Sequence, residues 1–278
     1  MTLRRPSPSP AKSASSALMS NEPFFRRVGE TYQPTPSSRG PWSPTSLHGR
    51  VVAGLLAHAI EQRYGGPEFM PARITIDMYR LPDLSAATVS VTPIREGHRI
   101  KVIDAEYAVN GLSMARATCV FLRKSENPEG TVWAPPSWDA RRPADIPPPD
   151  EPRASMGGMW ATRQISGGFG TVGEKKLWMS EVRDLVEGEA FTPFTRVAVA
   201  ADFASPFANS GDQGLGWINA DITLYLHRLP VTEWVGFEVK NHGATAGVAI
   251  GECWLYDEEG PIGTSSVVAL AQRRGMRS

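Results

Sequence analysis

The second half of this chain repeats the first. Ile76-Asp77-Met78-Tyr79-Arg80-Leu81-Pro82 is echoed by Leu224-Tyr225-Leu226-His227-Arg228-Leu229-Pro230, and each copy is followed by the same succession of alternating segments and turns. A period of about 150 residues is far longer than the roughly 20–50 of a solenoid, so each copy should be a domain-sized unit with its own core. The chain is therefore expected to fold as a pseudo-dimer in one polypeptide. Such an interface supplies two equivalent clefts, and one can lose its chemistry while the other keeps it.

Each copy reads as α+β. Residues 48–64 place Val51, Val52, Leu55, Leu56, Ala59 and Ile60 at helical spacings, with Ser46 as a candidate cap and Gly65-Gly66 as the stop. Strand-like alternation then runs over 86–94, 100–109 and 114–122, with turns at Gly97-His98 and Asn110-Gly111. In the second copy it runs over 234–239, 248–256 and 262–271, with turns at Gly243 and at Asp257-Glu258-Glu259-Gly260. Both copies end basic, on Arg123-Lys124 and Arg273-Arg274. A helix followed by four antiparallel strands fits the hotdog architecture, a long helix laid on a curved sheet. Two fused copies make a double hotdog, although periodicity alone also admits other α+β sandwiches.

Lys plus Arg and Asp plus Glu both number 29, so no global field draws the chain to nucleic acid or to an anionic membrane. The longest apolar stretch, residues 51–60, is shorter than a membrane span and carries His58. Cys119 and Cys253 sit inside strand-like segments and offer neither a disulfide framework nor a zinc site, and a cytoplasmic location is expected. Residues 1–22 lack the uninterrupted apolar segment of a secretion signal and read as a disordered tail, with Met19-Ser20 an alternative start. A second proline-rich stretch, with Pro135-Pro136 and Pro147-Pro148-Pro149, reads as a wrapping linker between the halves. The expected organisation is an N-terminal hotdog over 23–124, a linker over 125–160 and a C-terminal hotdog over 161–278.

Gly40-Pro41-Trp42, then His48-Gly49 and an apolar helix, resemble the opening of the acyl-CoA thioesterase-like double-hotdog family. In the second half, Ala201-Asp202-Phe203, Trp217-Ile218-Asn219-Ala220-Asp221-Ile222-Thr223, His227-Arg228 and Glu233-Trp234 resemble that family's C-terminal hotdog and the acyl-CoA thioesterase II type. The similarity spans residues 40–274 and is carried by the ordered series, not by any single motif. It implies hydrolysis of an acyl-CoA or acyl-carrier thioester to free acid, with no metal, cofactor or covalent intermediate.

Better-studied members of that family hold a water with an Asp, a Thr and a Gln from the C-terminal copy. The Asp position falls on Asp202, which would orient or deprotonate the water, with burial against Phe203 and Phe207 raising its basicity. Without the resemblance, Asp202 reads as an N-cap or a turn-stabilising residue. The Thr position falls on Asn219, whose amide can accept from water and donate to an oxyanion, or else be satisfied by backbone at a strand mouth. The Gln position breaks the pattern, landing on Val267 or Val268, with Ser265 and Ser266 nearby as candidates to compensate. Asp221, on the strand face of Asn219, is expected to pair with Arg228. His48 is either a cap or a group acting near a thioester carbonyl polarised by free N–H groups at the helix start. Arg50 stands where similar proteins often carry a second glycine, and would crowd the approach or bind a CoA phosphate.

His48, His58, His98, His227 and His242 show no metal-ligand spacing, and no Gly-x-Ser-x-Gly elbow occurs. Gly167-Gly168-Phe169-Gly170 precedes no strand-to-helix phosphate loop and reads as linker. Hotdog hydratases pair an Asp with a His about five residues on, where Phe207 follows Asp202 here. The rival reading is a non-hydrolytic acyl-thioester-binding protein, which shares the fold and the apolar tunnel. Val267 and Val268 favour that rival; Asp202 and Asn219 favour hydrolysis. A double hotdog is already a pseudo-dimer, so both a monomer and a homo-oligomer are open.

Overall fold

The computed structural model describes residues 22–136, 138–149 and 160–272. Expectations for residues 1–21 of the tail and 150–159 of the linker lie outside the described residues. The first copy runs β1 (Phe25–Val28), β2 (Thr31–Pro34), α1 (Gly49–Tyr64), β3 (Phe69–Met78), β4 (Ala87–Glu96), β5 (Ile100–Val109) and β6 (Leu112–Arg123). The second opens with β7 (Trp160–Ser166) and β8 (Lys176–Glu181), then α2 (Pro193–Ala201), α3 (Ala204–Asn209) and a small hairpin, β9 (Ser210–Gly211) and β10 (Gly214–Leu215). It closes with β11 (Trp217–Asn219), β12 (Asp221–Leu226), β13 (Val235–Thr245), β14 (Val248–Asp257) and β15 (Gly260–Ala271).

The strand order β1-β2-β4-β5-β6-β3 in the first copy is matched by β7-β8-β13-β14-β15-β12 in the second. Antiparallel pairing of β3 with β12 joins them into one 13-stranded sheet, with β11 added alongside β15. Thr75 and Thr223 stand opposite each other at that seam, 148 residues apart, with their hydroxyls 3.3 Å apart. The same offset relates Ile76 to Leu224, so the two threonines are equivalents and the pseudo-twofold axis passes between them. This is the isologous geometry of a dimer, built within one chain.

The separate cores expected for the two copies are merged. Every residue of α1 from Arg50 to Ile60 is buried, because the helix packs on its own sheet and on α2 across the axis. Leu55, Leu56 and Ile76 of the first copy thus share one cluster with Phe194, Val197 and Phe237 of the second. Gly54 permits the helix contact, since a Cβ there would lie 2.2 Å from Val199 Cγ2. A helix buried on all sides carries an apolar surface too broad for one sheet to cover.

Three local expectations need correcting. The cap of α1 is His48, while Ser46 closes a turn by accepting from the Ser43 N–H. Gly243 is inside β13, opposite Ile250, and the turn falls at Ala246 and Gly247, where φ is 53° and 81°. The polar run from Lys240 to Thr245 hides a strand from alternation, but a two-residue hairpin needs positive φ and Gly247 supplies it. The glycine run 167–170 joins β7 to β8 and sets Phe169 against Phe203, ring centroids 5.7 Å apart, so it belongs to the second copy's hairpin. Upstream, Trp138 stacks on Tyr256 at 4.3 Å and the Arg141 carbonyl accepts from Trp178 Nε1 at 2.9 Å, which ties residues 138–149 to the second copy. Among the described residues no helix is long and apolar enough to cross a membrane.

Candidate active site

The helical segment of the second copy is interrupted at Asp202 and Phe203. Asp202 (φ −59°, ψ −25°) and Phe203 (φ −65°, ψ −20°) form a turn with helical dihedrals between α2 and α3, in which Asp202 is the C-cap of α2 and its carbonyl accepts from the Ser205 N–H at 3.2 Å, so Asp202 is a turn residue and not an N-cap. The buried Ser265 hydroxyl donates to the Ala201 carbonyl at 2.8 Å, satisfying a group freed by the break. Phe203 stacks on Phe207, centroids 5.2 Å apart, and pins the following turn to the core. Asp202 is thereby held buried, at 4% exposure, facing the other copy.

Two residues meet it there. Asn219, at the end of β11, donates Nδ2–H to Asp202 Oδ1 at 3.0 Å, and His48 Nδ1 lies 3.4 Å from Asp202 Oδ2. His48, Gly49, Asp202 and Asn219 line one cavity of about 220 Å³, together with Val52, Met78 and Ala115. The three residues singled out from the sequence therefore converge, one from the first copy and two from the second. Gly49 suits this closeness: a Cβ there would lie 3.1 Å from Met78 Sδ and 3.2 Å from Asp202 Oδ1, so these side chains would have to give way. Gly49→Ala is expected to lower kcat/KM by about tenfold through displacement of the carboxylate, with little change in melting temperature. Thiol-release kinetics and a thermal melt would check it.

The surroundings of the pair shift both groups downward. Burial alone pushes the Asp202 carboxyl up, as expected from the sequence. Hydrogen bonds from His48 and Asn219 and the charge of Arg50 outweigh it and hold the group below the ordinary carboxylate range. Its basicity is lowered, not raised. Burial, aided by Arg50, also pushes His48 below the usual imidazole value despite the opposing pull of Asp202. The pair is thus an anion beside a neutral ring. In the structure Nδ1 also accepts from the Arg50 N–H at 3.4 Å, the capping contact of α1. It can accept that proton or donate its own to Asp202, and an ionised carboxylate favours donation. In that tautomer Nε2 is left as the acceptor.

Other expected roles are reassigned. Both hydrogens of Asn219 Nδ2 are used, on Asp202 and on the Asp221 carbonyl at 3.3 Å, so the amide does not serve as an oxyanion donor. Asp221 does not pair with Arg228. Its Oδ1 accepts from the Val268 N–H at 2.6 Å where Ala220 separates β11 from β12, standing in for a missing ladder carbonyl. Arg228 instead forks onto Asp257 with two contacts of 2.5 Å. Val267 is buried and Val268 faces outward at 43% exposure. Ser266 donates to Glu252 at 3.0 Å, and Ser265 is committed to Ala201, so neither serine compensates for the missing Gln. Arg50 neither crowds the approach nor reaches for a phosphate, because it is buried in an ion pair with Glu181.

The second cleft is built differently. Ten residues beyond the N-cap of each helical segment stand Asp202 in the second copy and His58 in the first. His58 Nε2 lies 2.9 Å from Glu189, which also accepts from Gln62 at 2.8 Å. The N-cap there, Thr192, closes a capping box with Thr195 and bonds to Glu61 instead of meeting His58. Polar cross-links between the copies occupy the place that His48 and Asp202 hold in the first cleft.

Fold and site together define a double-hotdog protein with its candidate chemistry on one side of a pseudo-twofold axis. Residues 38–122 match the model of the acyl-CoA thioesterase N-terminal domain and residues 138–271 that of the acyl-CoA thioesterase C-terminal domain. The chain belongs to the acyl-CoA thioesterase family and is by class a thioester hydrolase. No curated protein matches the sequence. The structure is similar to a hot dog fold protein of unknown function from Alicyclobacillus acidocaldarius, with 16% identity, a TM-score of 0.69, and 90% of this chain and 96% of that one covered. It is also similar to a tesB protein of Mycobacterium avium subs paratuberculosis, with 14% identity, a TM-score of 0.67 and the same coverage of 90% and 96%. An acyl-CoA thioesterase II from Mycobacterium marinum aligns with 13% identity, a TM-score of 0.61 and coverage of 90% and 96%. These likenesses bear on the fold alone.

Proposed function

We propose that the chain hydrolyses an acyl-CoA thioester with His48 as general base, Asp202 as the group that orients and stabilises it, and Asn219 as the support of Asp202. The observation that carries this reading is the meeting of His48 with Asp202 across the two copies at the wall of one cavity. A water beside Nε2 gives up a proton to the ring as its oxygen attacks the thioester carbonyl carbon. The oxyanion so formed lies against the first turn of α1, where the Gly49 and Arg50 N–H groups have no intrahelical acceptor. When Nδ1–H turns to donate to Asp202, the cap it makes on the Arg50 N–H is given up and that N–H is free for this purpose. Collapse breaks the C–S bond, and the imidazolium returns its proton to the leaving thiolate. A base that carries the proton itself needs fewer groups to hold the water, which accommodates valine at the Gln position.

The pH dependence and a His48 variant together test the base. Protonation of His48 removes the acceptor, so activity is expected to fall as pH drops through a value below the ordinary 6.5 of imidazole. A His48→Gln variant whose kcat/KM stays within tenfold of wild type would remove His48 as the base and leave Asp202. The same pair favours one second reading. A His–Asp unit also suits addition of water to a 2-enoyl thioester, with His48 supplied by the other copy and not from five residues on. Thiol release without loss of enoyl absorbance supports hydrolysis; loss of absorbance without thiol release supports hydration.

A further inference from the structure

We propose that the acyl group taken by this site is short and that Val52 and Met78 set its length, an inference that rests on the acyl-CoA reading above. The cavity holds about 220 Å³, below the roughly 300–1,000 Å³ of pockets for larger ligands. Its walls grade from open to closed. Tyr79, Leu81 and Leu270 form a rim, each residue 49% exposed, whereas Leu47, Val52 and Ala115 are at most 1% exposed and form the floor. A long chain would have to continue from this floor between α1 and the sheet. That space is filled: Leu55, Leu56, Ile76 and Ala117 are fully buried and belong to the shared core.

Interiors packed to this degree do not yield to an added chain without displacing side chains. Carbons beyond the floor therefore gain no burial and must either fold back to the rim or disrupt the core. Val52 closes the floor from α1, one turn past the capping His48. Met78 closes it from the end of β3, its sulfur against Gly49 beside Asp202. Met78 is the adaptable member of the pair, because an unbranched thioether can re-pack around different acyl ends.

The test is a series of S-alkyl-CoA thioethers of increasing chain length, bound to the full chain and followed by calorimetry, beside thiol release from the matching acyl-CoAs. Affinity and kcat/KM are expected to peak at a short chain. Val52→Ala and Met78→Ala should each move the peak to longer chains, changing the long-to-short ratio by at least about tenfold, the discrimination one methylene gives in an apolar pocket. Melting curves identify a variant that has failed to fold; Met78, half-buried and on a strand, provides the second variant if Val52→Ala does. A wild-type peak at long chains, or a peak that moves in neither folded variant, overturns the inference. Absent thiol release with the short-chain binding peak intact removes hydrolysis and keeps the length limit. Absent binding of every thioether removes both.

Discussion

Asp202→Asn is expected to lower kcat/KM by about 10³–10⁴ while the protein stays folded. The substitution preserves shape and leaves Oδ1 able to accept from Asn219 at the 3.0 Å separation seen in the native site. The change falls on the side facing His48. An amide N–H there cannot accept from Nδ1–H, so the ring must turn Nδ1 into an acceptor and protonate Nε2. The base is then in the wrong tautomer, and the anion that stabilised the developing imidazolium is gone. Because the loss arises in the transition state, kcat should carry it and KM should change little. Thiol release at saturating acyl-CoA together with a thermal melt would measure both parts. Activity within tenfold of wild type would remove Asp202 from the mechanism.

How much of this was legible in the sequence depends on the distance over which each signal acts. The repeat was readable because its echo falls on β3 and β12, the strands that pair at the pseudo-twofold seam. The helix of the first copy was readable from its apolar spacing, but that spacing could not show that α2 would cover a second face and merge the cores. Asp202 and Asn219 came from family resemblance, and the pairing of Asp202 with His48 was not readable at all. Neither residue has a local pattern that names the other, since the contact exists only once the copies dock. Arg228 illustrates the same limit. A nearby carboxylate, Asp221, looked like its partner, yet Asp257 wins because it also accepts from the Val231 and Glu259 N–H groups at 2.9 Å each. A turn that already presents two donors to a buried carboxylate offsets part of its desolvation, which the strand position of Asp221 does not.

Glu181→Ala is expected to give the largest loss of stability, about 3–5 kcal/mol, because it strands the Arg50 guanidinium in the core. Arg50 is 1% exposed, and its Nε and Nη2 have no hydrogen-bond partner. It is held by Glu181 on one nitrogen and stacked between Phe24 and Trp160, whose ring centroids lie 4.6 and 4.4 Å from the guanidinium carbon. The rings recover little of the lost solvation, so removal of the carboxylate leaves a buried charge uncompensated. At roughly 2–4 °C per kcal/mol for a chain of this size, the melting temperature should fall by about 10 °C. The double variant Arg50→Met with Glu181→Leu should restore most of that loss, since a buried pair replaced by apolar groups of similar volume is close to neutral. The same variant reports on catalysis. His48 is held below its ordinary value first by burial and then by the Arg50 cation. Removing the cation makes the imidazolium less unfavourable, raises the pKa of the ring and moves the acid limb of the pH–rate profile upward, toward 6.5. A restored melting temperature with an unmoved limb would show that Arg50 supports the fold alone; a limb that rises would make it the charge that keeps His48 neutral and ready to act as a base.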